Sequence, residues 1–172
     1  DGTLVKRAFT GADGTITFSK LPCGIYYVQE LTPPKGFVLN NQKVQIEVTE
    51  ARNYPVEYTD SRISLTISKQ DIGANREIAG AELELYKVNG SGRTLIERWT
   101  STGTPHIIDY RLLEINTNYV LVEKKAPAGY GYAAEIAIQI QADGSLLVNG
   151  SANTTGKTVV MKDTPIQLLI GK

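Results

Sequence analysis

The chain is poor in the residues that most often build active sites and covalent cross-links. Its 172 residues include one cysteine, one histidine, one methionine and one tryptophan. A single cysteine, Cys23, excludes an internal disulfide and a cysteine-based metal site. The single histidine, His106, follows Pro105 and has no serine or cysteine nucleophile motif around it, which argues against triad hydrolysis. We predict no metal and no cofactor.

The chain also lacks an excess of charge and a long apolar run. Eighteen basic residues balance eighteen acidic ones, whereas binding to nucleic acid or to a membrane surface normally needs a basic surplus. No stretch of about 18 apolar residues is present, and the polar opening Asp1-Gly-Thr is unlike a signal peptide. We therefore predict no nucleic-acid partner and no membrane insertion for this segment.

What the sequence does contain is a series of short alternating runs rich in Val, Ile, Thr and Tyr, separated by Gly and Pro. This pattern is typical of an all-β protein. We predict no amphipathic helix, because Ala134–Gln141 alternates with period two. The spacing of the runs is that of a two-sheet sandwich, with strands predicted over 63–69, 81–88, 93–101, 105–110, 117–124, 133–141, 144–148 and 157–163.

Two segments of the chain resemble each other. Residues 24–37 and 117–130 are both alternating strands that end in a glutamate and continue into a Pro-x-Gly-aromatic turn. Glu30 therefore corresponds to Glu123. The second copy has more residues than the first between this glutamate and the next position at which the two copies match. The hairpin at Ala142-Asp-Gly-Ser is predicted to hold part of this excess.

Further along, the match continues at a constant offset. Asp60 corresponds to Asp163 and Lys69 to Lys172, and each pair is 103 residues apart. Equal offsets indicate tandem units of about a hundred residues. We therefore predict three parts: the C-terminal portion of a unit without its opening strands (1–62), a complete unit (63–165), and the opening strand of a following repeat or a strand donated to another domain (166–172).

Three ionisable residues fall on the inward sides of predicted strands. Period-two alternation places Lys69, Glu123 and Asp163 on the apolar faces of their strands. An unpaired charge inside a β-core costs several kcal/mol, so such groups must pair, become neutral or react. On this ground alone a buried salt bridge and a covalent reaction both remain open.

Several longer motifs carry a family resemblance. The E-box of Cna-B-type domains, found in Gram-positive surface proteins and pilins, is similar to Tyr119-Val-Leu-Val-Glu-Lys-Lys-Ala-Pro-Ala-Gly-Tyr130. Other parts of those domains resemble Ala79–Tyr86, Ala12–Phe18 and Leu21–Tyr27. The resemblance covers nearly the whole chain. It implies tandem Ig-like, prealbumin-like β-sandwich domains, the first one incomplete at its N-terminus.

The same resemblance implies a chemistry. It makes Lys69 the nucleophile of a spontaneous isopeptide bond, Asp163 the acceptor and Glu123 the promoter. Many members of the family use Asn as acceptor, so the Asp here implies that water leaves in place of ammonia. The implied role is a stalk or shaft module of a cell-surface adhesin or pilin, extracellular and anchored to the cell wall, with no enzymatic turnover.

In the first unit the resemblance implies only part of this chemistry. Glu30 is the equivalent promoter, and a second bond from Asp60 to Lys172 requires that the Lys172 strand be donated to that unit. Neighbouring repeats of the same protein are the expected partners. Other pilin subunits and host surface ligands are the further partners left open.

A different class of function competes with the stalk. An adhesive module would bind a host matrix protein or glycan directly, and Trp99, Tyr110 and Tyr132 are the aromatic residues available for it. Glu82 and Glu84 share one strand face and are predicted to face solvent. Binding of a ligand by residues 63–165 alone would favour the adhesive interpretation, whereas resistance to heat and protease without binding would favour the stalk.

Overall fold

Eleven β-strands and one 3-10 turn form the regular structure of residues 2–171, the part of the chain that this computed structural model describes. The predicted all-β class is therefore confirmed. No helix among these residues is long and apolar enough to cross a membrane. The elements are β1 (Gly24–Gln29), β2 (Lys43–Val48), β3 (Thr66–Asp71), β4 (Ala79–Asn89), β5 (Gly92–Thr102), β6 (His106–Ile107), the 3-10 turn Tyr110–Leu112, β7 (Thr117–Lys125), β8 (Ile136–Ile140), β9 (Leu146–Val148), β10 (Ser151–Ala152) and β11 (Thr158–Asp163).

The described residues form two compact units. The first holds 2–31 with 40–59, and the second holds 32–39 with 60–171. The predicted boundary at 62/63 assigns 32–39 to the first unit. The structure instead groups this segment with the second unit.

Backbone hydrogen bonds explain why segment 32–39 belongs to the second unit. The Ile63 N–H donates to the Gly36 carbonyl at 2.8 Å, and the Val38 N–H donates to the Ser61 carbonyl at 2.9 Å. The turn therefore pairs with the chain that leads into β3.

The second unit is a two-layer sandwich. One layer is a six-stranded sheet in the order β10-β9-β8-β7-β4-β5, and the other is a three-stranded sheet in the order β11-β3-β6. All pairs are antiparallel except β11 with β3, which run parallel. Alternate residues point into the core, and full burial of each large apolar side chain contributes about 1.5–3 kcal/mol. The core includes Ile63, Leu65, Ile67, Leu83, Leu85, Tyr119, Leu121, Ile138, Ile140, Val159 and Met161.

The hairpins follow local turn chemistry. Asn149 and Gly150 connect β9 to β10, and both adopt positive φ, 49° and 80°. A two-residue turn with two positive φ values matches the right-handed twist of the strands it joins, and Asn-Gly is the sequence that tolerates it best. The predicted hairpin at 142–145 is also present, since Gly144 N–H donates to the Gln141 carbonyl at 2.9 Å.

Several predicted strands differ from the observed ones at their ends, and two of these differences have a clear cause or pattern. The predicted strand 105–110 is only the two-residue β6, because the chain turns away at Asp109, whose carboxylate accepts the Arg111 N–H and begins the 3-10 turn. The predicted strand 63–69 enters its ladder at Thr66 and continues to Asp71. Period-two alternation identified the buried face correctly but not the ends of the ladder.

In the first unit, β1 and β2 form an antiparallel pair. Val28 and Glu30 lie on its half-buried face, whereas Tyr27 on the opposite face is exposed. The Tyr58 hydroxyl donates to the Val28 carbonyl at 2.6 Å and fixes the following segment against this pair. Among residues 2–59 the structure contains no further strand.

Candidate cross-linking site

Two parallel strands bring the predicted nucleophile and acceptor together. In the β3–β11 ladder, Lys69 is level with Met161 and Asp71 is level with Asp163. Asp163 therefore lies two residues further along than Lys69, with its side chain on the same inward face. The long lysine side chain spans this diagonal. Lys69 is 2% exposed and Asp163 is 0% exposed.

The lysine contacts both predicted carboxyl groups. Lys69 Nζ donates to Asp163 Oδ1 and lies 2.9 Å from Glu123 Oε1. The second contact has the distance of an ion pair but not the angle of a hydrogen bond, so Glu123 Oε1 has no hydrogen-bond partner within residues 2–171. The structure therefore brings all three residues predicted for the cross-link in the second unit into one buried cluster.

Glu123 lies on the six-stranded sheet and faces the two parallel strands. It follows Leu121 on the inward face of β7, and its residue is 7% exposed. Its Oε2 accepts the Ala133 N–H at 2.8 Å. This bond leaves Oε1 as the oxygen directed at Lys69.

The surroundings favour the neutral form of the acceptor. Burial raises the pKa of the Asp163 carboxyl, the neighbouring Glu123 carboxyl adds to the rise, and Lys69 opposes it. Desolvation disfavours a charged carboxylate, and a second carboxyl close by disfavours it further. Asp163 Oδ2 is buried without a hydrogen-bond partner among the described residues. The surroundings thus favour a proton on the Asp163 carboxyl.

Such an arrangement can perform condensation chemistry. It contains an amine, a carboxyl group whose neutral form is favoured by burial, and a second carboxyl group that can move protons. Within residues 2–171 no group of three or more His, Cys, Asp or Glu side chains could hold a metal ion.

The backbone of Lys69 is fixed by a residue that sequence reasoning missed. The Lys69 N–H donates to Glu77 Oε2 at 3.0 Å, and the Lys69 carbonyl accepts the Ile78 N–H at 2.8 Å. Beyond the point where β6 ends, the Glu77 side chain takes the place of a neighbouring strand. No periodicity in the sequence signals this contact, because it comes from a loop.

A second missed contact lies at the end of β3. The Tyr130 hydroxyl donates to Asp71 Oδ2 at 2.9 Å. A signal for it was present in the sequence, since Asp71 shares the inward face with Lys69, and Tyr130 is the aromatic residue of the Pro-x-Gly-aromatic turn.

Of the residues predicted for a cross-link in the first unit, the structure describes Glu30 and Asp60 only. Glu30 Oε2 accepts the Asn40 N–H at 2.9 Å, which reproduces the contact of Glu123. Asp60 belongs to the second unit, and its Oδ1 is buried without a partner among the described residues. Lys172 lies outside the described residues. The Asp60–Lys172 bond therefore stays a prediction.

Most of the aromatic residues considered for direct ligand binding pack against other side chains of the protein. Trp99 stacks on His106 with ring centroids 4.5 Å apart, and His106 Nε2 lies 2.8 Å from Glu97 Oε1. Tyr110 packs edge-on against Phe37. Of the three predicted aromatic contact residues, Tyr132 is the one with a largely exposed side chain, at 69%.

One expectation about surface charge was wrong. Glu84 was predicted to face solvent together with Glu82, but it is 1% exposed. The Tyr86 hydroxyl donates to Glu84 Oε2, and Arg98 Nε donates to Oε1 at 2.6 Å. These long neighbours cover the carboxylate on the outer face of the sheet. Its pKa is lowered, chiefly by the bond from Tyr86, so the carboxylate stays charged.

Comparison with known families gives a match along most of the chain. The model of the family described as SpaA, prealbumin-like fold domain, matches residues 1–62 and again residues 63–154. The two matches adjoin between residues 62 and 63. No curated protein sequence matches the chain.

The chain is also similar to solved structures, and the first of those named here has the same fold. The C-terminal fragment of the pilus adhesin SpaC from Lactobacillus rhamnosus GG is 21% identical with a TM-score of 0.52, over 87% of this chain and 79% of that fragment. The Bacillus anthracis TIE protein is 22% identical with a TM-score of 0.48, over 91% of this chain and 28% of that one. This chain spans 26% of the length of a longer SpaC structure.

Proposed function

Because the chain belongs to the SpaA family of prealbumin-like fold domains, we propose that it is a stalk module of a Gram-positive surface adhesin or pilin. In this proposal its second unit is cross-linked by a spontaneous amide bond between Lys69 and Asp163. The observation that supports the bond is the contact of one buried amine with two buried carboxyl groups. A plain ion pair would leave three ionisable groups buried beside the apolar core, which is costly.

The reaction needs only these three side chains. The Lys69 ammonium gives a proton to the carboxyl pair, and its nitrogen lone pair attacks Asp163 Cγ. The C–N bond forms and one C–O bond breaks. The departing oxygen carries the two protons lost by nitrogen and leaves as water, with Glu123 accepting and returning one of them. No oxidant, nucleotide or metal takes part.

Folding supplies the driving force for this slow condensation. The β3–β11 register holds the amine and the carboxyl group together, and well-oriented groups react as though at very high concentration. Loss of water also removes two charges from the core, so the amide avoids the desolvation cost of the ion pair. Burial limits the access of water that would reverse the step.

The position of the bond suits a module that carries tension. Lys69 and Asp163 are 94 residues apart in sequence but lie on neighbouring parallel strands near the two ends of the unit. Tension that enters through β3 and leaves through β11 would shear the ladder between them. A covalent amide carries that load, so residues 70–162 stay folded. A stalk that holds an adhesive tip away from the cell requires this property.

The wider setting is part of the same proposal. The module would be displayed outside the cell in a protein anchored to the cell wall, with neighbouring repeats as partners. The SpaC structures are those of a pilus adhesin, which supports a role in a pilus or a monomeric adhesin. A second bond, from Asp60 to a lysine strand such as that of Lys172, extends the proposal to the first unit.

The promoter role of Glu123 gives the first experiment. We expect the Glu123→Ala variant to fold but to keep the full mass of its sequence, whereas the parent is lighter by one water. Glu30→Ala is the matched control, because Glu30 makes the same contact with a backbone N–H at 2.9 Å. It should retain the deficit. A deficit that persists in Glu123→Ala would count against the promoter role.

A further inference from the structure

One side-chain hydrogen bond connects two of the segments that carry the reacting groups. The Tyr130 hydroxyl donates to Asp71 Oδ2 at 2.9 Å. Asp71 is two residues beyond Lys69 on β3 and is 6% exposed. Neither Asp71 nor Tyr130 touches a reacting atom. Their contact nevertheless joins the strand of the amine to the loop that follows Glu123.

The Asp71 carboxylate is fixed before it meets the tyrosine. Its Oδ1 accepts the N–H groups of Gly73 and Ala74, each at 2.7 Å. The next residue, Ile72, donates its N–H to the Asp163 carbonyl at 2.9 Å. The turn after β3 is therefore tied both to the Asp71 side chain and to the backbone of the acceptor residue.

Tyr130 belongs to the loop that directs the promoter. The Gly131 N–H donates to the Thr164 carbonyl at 3.0 Å, and the Ile166 N–H donates to the Gly129 carbonyl at 2.8 Å. Tyr130 itself forms a bridge with Pro165. The loop is thus paired with the chain directly after Asp163. Three residues beyond Tyr130, it supplies the Ala133 N–H that holds Glu123.

We propose that Asp71 and Tyr130 are positioning residues for the amide-forming reaction. Their hydrogen bond holds the 129–133 loop against the end of β3, and so fixes Glu123 and Asp163 relative to Lys69. This inference rests on the proposed function. It adds two residues that hold the reacting groups in place and do not themselves contact the reacting atoms.

The electrostatics of the pair agree with this role. Hydrogen bonds from Ala74 and then Tyr130 lower the pKa of Asp71, while the Asp71 carboxylate raises the pKa of Tyr130. The phenol therefore stays protonated and the carboxylate stays charged near neutral pH. A hydrogen bond to a charged acceptor is stronger than one between neutral groups.

The internal repeat shows that the turn itself does not need the hydroxyl. Phe37 corresponds to Tyr130, yet its turn makes the equivalent backbone bonds, Ile63 N–H to the Gly36 carbonyl and Val38 N–H to the Ser61 carbonyl. We therefore expect Tyr130→Phe to keep the backbone of the turn and to lose only the contact with Asp71.

The test follows the loss of water over time in the full chain. The protein is made by cell-free synthesis, samples are quenched in denaturant at intervals, and intact mass gives the cross-linked fraction. We expect Tyr130→Phe and Asp71→Asn each to slow the loss of water by about 10- to 100-fold, the order of effect that misplaced reacting groups produce. Tyr132→Phe is the matched control, since Tyr132 is 69% exposed, and it should react at the parent rate.

Two further measurements separate positioning from simple destabilisation. In a Lys69→Met background, which cannot react, circular dichroism should show Tyr130→Phe fully folded at the reaction temperature. The double variant of Asp71→Asn and Tyr130→Phe should be no slower than the slower single variant, because both remove the same contact.

The outcomes distinguish the two proposals. A parent chain that never loses water would overturn the cross-link and the positioning role together. A parent that loses water at the same rate as Tyr130→Phe would overturn the positioning role alone. A slower rate that matches a reduced folded fraction in the Lys69→Met background would also overturn it.

Discussion

The two glutamates of the repeat have the same local anchor but very different surroundings. Glu30 and Glu123 each accept a backbone N–H from ten residues further along, at 2.9 and 2.8 Å. Two residues earlier on the same face, Val28 is half-buried whereas Leu121 is fully buried. The E-box sequence therefore orients the carboxyl group. It does not desolvate it.

What desolvates Glu123 is the other layer of the sandwich. β3 and β11 lie opposite β7 in the second unit and bring Lys69 and Asp163 with them. In the first unit the described strands are β1 and β2 only. The ability to form the amide would then depend on the strands that cover the glutamate as much as on the glutamate itself. The reason is that burial raises the pKa of a carboxyl group and so favours its neutral form.

The largest effect is expected from removing the amine. Lys69→Met should keep the full sequence mass and lower the free energy of unfolding of the second unit by about 4–5 kcal/mol, the stabilisation expected from closing a loop of this length. In single-molecule pulling, residues 70–162 should become extensible and add about 300 Å of contour length. Lys125→Met, with a side chain 66% exposed, is the control and should behave like the parent.

A second comparison concerns equivalent core positions. Leu121→Ala should cost about 2–5 kcal/mol, because it leaves a cavity in a closed core. Val28→Ala should cost roughly 1 kcal/mol or less, since Val28 is half-buried. Fluorescence of Trp99, the single tryptophan, reports unfolding of the second unit, and circular dichroism reports both units. Equal losses in the free energy of unfolding for the two variants would show that the two strand faces are equally buried.

The two Pro-x-Gly-aromatic turns can be compared through their glycines. Gly36 and Gly129 have φ values of 89° and 86°, so alanine at either position costs about 1–2 kcal/mol. At Gly36 a Cβ would also lie 2.8 Å from the Tyr110 carbonyl oxygen, whereas at Gly129 nothing lies within 4 Å. Denaturant titration should therefore show the greater loss for Gly36→Ala, by at least about 1 kcal/mol.

The smallest expected effect is a pH dependence. Burial and Glu123 raise the pKa of Asp163, so the folded state of Lys69→Met should bind a proton that the unfolded state releases above about pH 4. The stability from this group is present below that pH and is lost as pH rises through the folded pKa, by at most about 1.4 kcal/mol per pH unit. In the proposed cross-linked parent Asp163 would be an amide, so this slope should be absent.

Parallel pH profiles for the parent and Lys69→Met would contradict this reasoning. They would mean that Asp163 titrates in both proteins or in neither. Urea unfolding at a series of pH values from 4 to 7 measures the difference directly.

The sequence predicted the inward-facing residues well, because period-two alternation records burial directly. Lys69, Glu123 and Asp163 all lie buried in one cluster, as their strand faces implied. The match between residues 24–37 and 117–130 likewise anticipated the two similar turns, which make equivalent backbone bonds.

What the sequence did not predict depends on long side chains and loops. Glu84 is buried on an outer face because Tyr86 and Arg98 fold over it, and alternation does not record such cover. Glu77 and Tyr130 hold β3 from loops whose paths are set by tertiary packing. The grouping of 32–39 with the second unit has the same origin.

A tryptic peptide map of the folded, untreated protein tests the central claim most directly. Lys69 lies in the peptide 63–76 and Asp163 in the peptide 163–172. We predict one branched species that joins these two peptides and is lighter than their sum by one water. Recovery of cleavage after Lys69 together with an unmodified 163–172 peptide would contradict the account.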